Sequence, residues 1–472
     1  MRRAGVSGPS GSSRSAGGEG ATTPPFCPIS GPGVESVGHT CTVTVDQSLF
    51  DDLNARGLIH DSTDPIALKE RLQARPIKVY VGFDPTADSL HVGNLVGLLM
   101  LRRFQDAGHK VIALAGGATG MVGDPSGKAS ERSLLDDAQL AANLAGVLPQ
   151  LRQFLDFDSA DNPAALLDNR AWTVGFSYLD FLRDIGKFIT VNQMVAKESV
   201  RSRMESTDGI SYTEFSYMLL QAYDFAWLYE NEGCEMQMGG SDQWGNIVTG
   251  IELIRKRVSG TGVGLTWPLL TRTDGSKYGK TAGGETIWLS AAKFSPYAFF
   301  QSWIQIDDDE IEKLLLQLTL LPIDEIRHVV ALHTEAPHRR EAQNRLAEEL
   351  TTLVHGANAT ARAQEATAAV FGGTVADLSA DALAMLAGEL DCHSASRSVL
   401  GQDAAFVPLL TEAGITSSNS EANRLLKQNG LSVNDKKVPT DHVIESDDLL
   451  HGKYAVVRKG KKHLSLIVFD RP

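Results

Sequence analysis

The chain has 472 residues, 42% of them apolar and 22% charged, with a formal net charge of −14. It is too long for one ordinary domain, so two or three are expected, with the composition of a globular rather than a fibrous or disordered protein. No apolar run approaches the ~20 residues of a membrane-spanning helix, and four cysteines without a CxxC pair favour neither a disulfide framework nor a zinc site; a reducing cytoplasm fits best.

Residues 1–45 are rich in Gly, Ser, Thr and Pro and lack the apolar stretch of a secretory signal, so a disordered tail is expected. Asp46 to Ala74 reads as mainly helical, with a start signal at Asp64-Pro65. Ile77–Phe83 is short, β-branched and aromatic, which predicts a buried strand. A helix is predicted from Leu90 to Ala107, with Leu95, Leu98, Leu99, Leu101 and Phe104 at helical spacing and Gly108 as its left-handed stop. Val111–Ala115 is a second strand. Strand, helix and strand within about forty residues make a βαβ unit, which implies a parallel sheet with its ligand site beyond the strand C-termini.

Further helices are predicted at Asp136–Leu155, Tyr178–Ile185, Glu214–Glu230 and Asn246–Arg257. From Ser295 to Val370 the pattern is helical almost throughout. Beyond Gly372-Gly373, the last portion alternates a helix (Ser420–Gln428) with strands (Tyr454–Arg458, His463–Phe469). The expected organisation is a tail (1–45), a Rossmann-like α/β domain (46–290), an α-helical domain (291–375), a linker (376–404) and a small α+β module (405–472). That module holds ten Lys/Arg against eight Asp/Glu, and Lys453, Arg458, Lys459, Lys461 and Lys462 crowd into ten positions. On an acidic protein such a patch still attracts phosphates over roughly a Debye length, ~10 Å, although a solvated strand is the plainer reading of charge alone.

Five clusters carry the chemistry. Tyr80-Val-Gly82-Phe-Asp84-Pro-Thr86 leads to His91-Val-Gly93-Asn94 across the strand-to-helix turn, where free N–H groups and a positive dipole end suit a phosphate. Gly116–Lys128 resembles a Walker loop, but three residues separate Gly123 from Gly127 and Ala129 follows Lys128, so that motif is rejected. A Gly-lined loop with Asp124 bordering a small-molecule pocket remains. On one face of a largely apolar helix stand Tyr217, Gln221 and Asp224, buried polar groups that need partners from the protein or a ligand. Met238–Asn246 is a second Gly-rich turn into a helix, with Asp242 and Gln243. Asp274–Gly284 places Lys277, Lys280 and Thr281 in a basic, glycine-rich loop suited to a polyphosphate.

In this order the clusters resemble the class I aminoacyl-tRNA synthetases. His91-Val92-Gly93-Asn94 matches the signature usually written HIGH, with Asn for its last histidine, and Lys277-Tyr278-Gly279-Lys280-Thr281 matches KMSKS in a variant form. The strings Tyr80–Asn94, Gly116–Lys128, Leu220–Asp224 and Gly239–Asn246 are similar to the tyrosyl branch, and the last module to its S-four-type RNA-binding domain. The resemblance implies that Tyr80 and Asp224 hold the phenolic hydroxyl of tyrosine. Asp124, Tyr217 and Gln221 would bind its amino group, with Gln243 by the carboxylate. Gly82, Asp84, Thr86, His91, Gly93, Asn94, Asp242 and Lys280 would line the ATP side. Lys128, Arg132, Lys277, Lys280 and Thr281 would stabilise the leaving pyrophosphate.

It also implies ATP with Mg2+ as co-substrate, a cognate tRNA, a homodimer through about residues 176–195, and no membrane or resident metal. No Ser/His/Asp or Cys/His nucleophile stands out, which suits a reaction driven by positioning and charge. A tryptophan-specific relative would lack the Tyr80–Asp224 pair. An RNA-binding protein that had lost catalysis would be expected to show erosion of Asp124, Asp242 or the basic loop.

Overall fold

The computed structural model describes residues 48–126, 135–205, 209–279, 281, 284–403, 405–460 and 463–471. The expected tail, and among the candidate residues Lys128, Arg132 and Lys280, lie outside this range.

Helices α1 (Leu49–Ala55) and α2 (Pro65–Ala74) flank a two-residue strand, β1 (Asp61–Ser62). At the predicted start of α2 the Asp64 carboxylate accepts from the N–H groups of Ile66 and Ala67, and Pro65 occupies the first turn, where its missing donor costs nothing. Then come β2 (Lys78–Phe83), α3 (Val92–Asp106), β3 (Lys110–Ala115), α4 (Asp137–Phe154) and β4 (Ala165–Asp168). Short helices α5 (Arg170–Thr173), α6 (Tyr178–Asp184), α7 (Val191–Val195) and α8 (Glu198–Met204) lead to the long α9 (Tyr212–Glu232). The first body closes with β5 (Cys234–Gly240), α10 (Trp244–Val258) and β6 (Val263–Trp267).

The sheet order is β1-β6-β5-β2-β3-β4, parallel except for β1. From β2 the chain winds outward through β3 and β4, then returns to build β5 and β6 on the other side of β2. The reversal between β2 and β5 opens a crevice at their C-terminal ends, the standard place for a ligand in an open α/β sheet. One face of the sheet packs on α3, with Leu95, Leu98, Leu99 and Phe104 fully buried, and the other on α9 and α10 through Phe225, Leu253 and Ile254.

The second body holds α11 (Pro296–Ile304), α12 (Ile311–Leu318), α13 (Ile323–Glu335), α14 (Glu341–His355) and α15 (Ala357–Val370). Its core is continuous with that of α3: Phe299, Trp303, Leu314 and Leu346 belong to the same buried cluster as Leu98 and Leu99. Two buried arginines lock the joint. Arg56 donates to Leu321 O at 2.9 Å and Arg103 to Thr319 O at 2.6 Å, capping the end of α12 where carbonyls lack partners.

After α16 (Ala380–Ala387) comes β7 (Asp391–Ser396), then α17 (Phe406–Glu412), α18 (Asn419–Lys427), β8 (Leu431–Val433), β9 (Lys436–Lys437), β10 (Tyr454–Lys459) and β11 (His463–Arg471), in sheet order β7-β11-β10-β8-β9. Strand β7 lies in the stretch expected as a linker. Asp-Cys-His-Ser-Ala-Ser has no strand signal of its own and is extended because it pairs in parallel with β11. Both faces of this sheet are buried. Ala455, Val457, Ile467 and Phe469 meet α17 and α18, while Tyr454, Val456, Leu466 and Val468 pack on Ala366, Ala369 and Leu383 of the helices before it.

Candidate active site

The crevice receives side chains from every element around it. Asp84, one residue past β2, accepts from the Tyr217 hydroxyl at 2.7 Å and from the Thr119 hydroxyl at 2.7 Å. It tucks beneath the β3 turn because Gly116 leaves room; a Cβ there would stand 2.0 Å from Asp84 Oδ1. From Thr119 the network continues to Asn169, whose amide donates to Thr119 Oγ1 at 3.0 Å and to Asp224 Oδ2 at 2.9 Å. Trp172 Nε1–H donates to Asp224 Oδ1 at 2.8 Å, and its ring stacks on Trp227 at 4.1 Å.

Both Asp224 oxygens are therefore oriented. Burial nonetheless raises its carboxyl pKa to about 7, against the lowering effect of those two donors. Tyr80 comes from the middle of β2, 1% exposed, its ring 5.5 Å from that of Phe225. Among the described residues its hydroxyl is buried without a hydrogen-bond partner, and burial first, then the Asp224 charge, pushes its pKa well above the usual phenol value. An unpartnered buried hydroxyl costs about 1–3 kcal/mol, so this corner is built for a polar group to arrive.

A second network lies between α9 and α10. Gln243 Nε2 donates to Asp124 Oδ2 at 2.6 Å, and Gln221 Nε2 to Gln243 Oε1 at 3.2 Å. Asn246 donates to Gln221 Oε1 at 2.9 Å. Asp124, Gln221 and Gln243 are thus brought together, and a carboxylate with two amides can grip an ammonium and a carboxylate in one place. Gln243 is seated by Gly239, where a Cβ would come 2.9 Å from the Gln243 Cβ. Asp242 lies in the same turn, Ser241–Gln243, half-buried beside Gly240.

The phosphate-suited side is the start of α3. His91 Nδ1 accepts from Gly93 N–H at 3.0 Å, which places the ring proton on Nε2. Asn94 Oδ1 accepts from His91 N–H at 3.1 Å, so the amide that replaces the usual histidine caps the helix and keeps its NH2 as a donor. Gly93 cannot be enlarged without displacing the imidazole, since a Cβ would lie 2.7 Å from His91 Cε1. Gly82 and Thr86 are exposed, Gly82 with open space at its Cα.

The second signature is knitted to the first by backbone bonds. Val92 N–H donates to Ile287 O at 3.0 Å, and Ile287 N–H to Gly279 O at 2.9 Å. Lys277 is exposed, and Thr281 N–H donates to Glu285 O at 2.7 Å. Among the described residues no group of three or more His, Cys, Asp or Glu is arranged to hold a metal ion, and no helix is long and apolar enough to cross a membrane.

Sequence reasoning did not assign Thr119, Asn169, Trp172 or Asn246. Asn246 adjoins the Gly-rich turn and was within reach. Asn169 and Trp172 follow a four-residue strand with no motif to mark them.

The chain matches the family model of class I tRNA synthetases (W and Y) over residues 72–372, and the model of the SYY-like tyrosine–tRNA ligase C-terminal domain over residues 393–467. It is 47% identical over 422 residues to the tyrosine–tRNA ligase of Roseiflexus castenholzii, covering 89% of this chain and 99% of that one. To the tyrosine–tRNA ligase of Porphyromonas gingivalis it is 48% identical over 433 residues, 90% of this chain and 100% of that one. Its fold is similar to a C-terminally truncated mitochondrial tyrosyl-tRNA synthetase of Aspergillus nidulans, with a TM-score of 0.63 and 31% identity over 69% of this chain and 94% of that one.

Proposed function

We propose a mechanism from one premise: the chain belongs to the class I tRNA synthetases of the W and Y type and, within them, to the tyrosine–tRNA ligases. It activates L-tyrosine with ATP to tyrosyl adenylate and pyrophosphate, then passes the tyrosyl group to the 3′ end of its tRNA.

The observation that carries the substrate assignment is the lone buried hydroxyl of Tyr80 beside Asp224. A tyrosine phenol entering there donates to the Asp224 carboxylate and accepts from Tyr80, ending that hydroxyl's isolation. Phenylalanine would leave the Tyr80 hydroxyl desolvated and unpaired and would give Asp224 no donor beyond Asn169 and Trp172. Asp124, Gln221 and Gln243 hold the amino and carboxylate groups. Tyr217 lines the pocket with its ring, and its hydroxyl is spent on Asp84, which makes Asp84 a support of the amino-acid side.

ATP lies along the start of α3. His91 Nε2–H, the Asn94 amide and the helix N-terminus face its phosphates with Thr86 and Gly82; Gly93 permits the close approach, and Asp242 takes the ribose. Magnesium would come as part of the ATP complex and would supply neutralisation of phosphate charge. The tyrosine carboxylate attacks the α-phosphorus in line; an O–P bond forms as the bond to pyrophosphate breaks. Lys277, Lys280, Thr281, Lys128 and Arg132 take the charge gathering on the leaving group. The terminal ribose hydroxyl of the tRNA then attacks the adenylate carbonyl, and AMP leaves.

The helical body and the terminal module take the tRNA, and the work belongs to the cytoplasm. A homodimer is part of the reading, supported by an apolar surface on and around α6 and α7: Leu179 is 75% exposed, Val174 67% and Val191 62%. Leu179→Asp should convert the dimer to monomer in sedimentation; a monomeric unmodified chain would overturn it.

Tyrosine-dependent exchange of labelled pyrophosphate into ATP tests the activation step, run beside tryptophan and phenylalanine. Exchange with tyrosine alone is expected, and its absence in folded protein would remove the enzymatic reading.

A further inference from the structure

Lys277 rides on a hairpin bolted to α12. The turn is closed by Gly275 N–H donating to Arg272 O at 3.0 Å and Arg272 N–H to Ser276 O at 2.7 Å, and the base by Tyr278 N–H to Leu270 O at 2.8 Å. Every residue from Thr273 to Lys277 is exposed, yet Tyr278 is 4% exposed. The Tyr278 hydroxyl donates to Glu310 Oε2, and Thr273 N–H donates to Glu310 Oε1 at 2.6 Å, so one carboxylate grips both arms of the hairpin. One turn along, Lys313 donates to Thr271 O at 2.6 Å, while the Arg272 guanidinium lies 4.6 Å from the centre of the Tyr278 ring.

Glu310 is itself buried at the N-cap of α12. The opposite end of that short helix is held by Arg56 and Arg103, so the carboxylate stands on a post fixed at both ends. On the far side of Tyr278 the bonds Gly279–Ile287 and Ile287–Val92 lead directly to the start of α3 and His91. A lysine on a free, solvated hairpin would lose its freedom only when ATP binds; here most of that ordering is already done by the fold.

We propose that Glu310 is a positioning residue for the activation step: by holding Tyr278 and Thr273 it sets where Lys277 meets the leaving pyrophosphate. This rests on the chain activating tyrosine with ATP. The two oxygens of Glu310 are committed to the hairpin, and it acts through Tyr278.

The test uses the full chain and two readouts: kcat and both KM values in tyrosine-dependent pyrophosphate exchange, and amide hydrogen exchange of residues 270–279. Tyr278→Phe removes only the hydroxyl and should lower kcat about 10-fold, with KM for tyrosine within about twofold. Glu310→Ala should lose at least as much. The double variant should lose no more than Glu310→Ala alone, because the hydroxyl works through that carboxylate. Glu310→Gln keeps an acceptor for Thr273 N–H and should recover part of the loss. Amide exchange of the segment should rise about 10-fold in Glu310→Ala. An unchanged kcat in Tyr278→Phe, independent and multiplying losses, or unchanged amide exchange would each overturn the proposal. Absence of any tyrosine-dependent exchange by the unmodified chain would instead strike the enzymatic reading, and the amide measurement would still decide whether Glu310 holds the hairpin.

Discussion

At Asp224, burial and hydrogen bonding pull against each other and burial wins, leaving the carboxyl pKa at about 7. The native chain therefore keeps this proton to higher pH than the unfolded chain, whose ordinary value is 3.8. The associated stability is complete below that value and is lost as pH rises through about 7. Binding has the opposite sign, since an ionised carboxylate accepts a phenol proton more strongly than a neutral acid does. KM for tyrosine should fall several-fold between roughly pH 6 and pH 8 while the thermal midpoint declines. Asp224→Asn should flatten both slopes and weaken tyrosine on the order of 10-fold or more. A tyrosine KM that is flat with pH in the unmodified chain would count against Asp224 as the acceptor. The residue types of this pocket were legible in the sequence as polar groups on an apolar helix. What was hidden is their support: nothing in Asn169 or Trp172 says that each will donate to a carboxylate more than fifty positions away.

Among elements, the βαβ unit was legible because its strands are β-branched and its helix has a clean apolar face. The strands β4, β5 and β6 were not. Ala-Leu-Leu-Asp is four residues long, and Cys-Glu-Met-Gln-Met-Gly-Gly carries no β-branched residue. These segments are extended because neighbouring strands, on both sides of β5 and β6 and on one side of β4 at the sheet edge, offer a hydrogen-bonding ladder, a tertiary cause that overrides local propensity. Helix α12 shows the reverse case, an eight-residue element that owes its position to its ends. Arg103 sits buried at its C-terminus, where loss of solvent lowers the guanidinium pKa to about 9, and it serves the carbonyls of Leu316, Gln317 and Thr319. Arg103→Met keeps most of the volume and removes the donors. It should cost about 2–3 kcal/mol of stability, read as a lower thermal midpoint, with KM for tyrosine unchanged. A midpoint equal to that of the unmodified chain would mean water replaces the arginine at no cost.

Over the whole molecule, the sheet of the terminal module is buried on both faces, and its basic residues among those described (Lys461 and Lys462 lie outside them) include two kinds. Arg458 donates to Ala369 O at 3.0 Å, and Lys459 donates to Ile415 O and to Glu421 at 3.0 Å each. Both lie in the strand whose sequence suggested a phosphate grip, yet their charge is turned inward to hold the module together and against the helical body. Lys436 and Lys437 form an edge strand and are exposed, with Arg424 and Lys427 exposed on α18. Charge that already serves a carbonyl or a carboxylate has little left for RNA, whereas exposed lysines release counterions when phosphates approach. Replacing Lys436 and Lys437 together by alanine should therefore weaken tRNA binding and reduce the slope of log affinity against log salt by about one per lysine, with pyrophosphate exchange untouched. Arg458→Ala should lower the thermal midpoint and leave that slope nearly as it was. The converse result, a salt slope that responds to Arg458 and ignores Lys436 and Lys437, would place the RNA on the face that here packs against Ala369, and would require the module to leave the helical body before it binds.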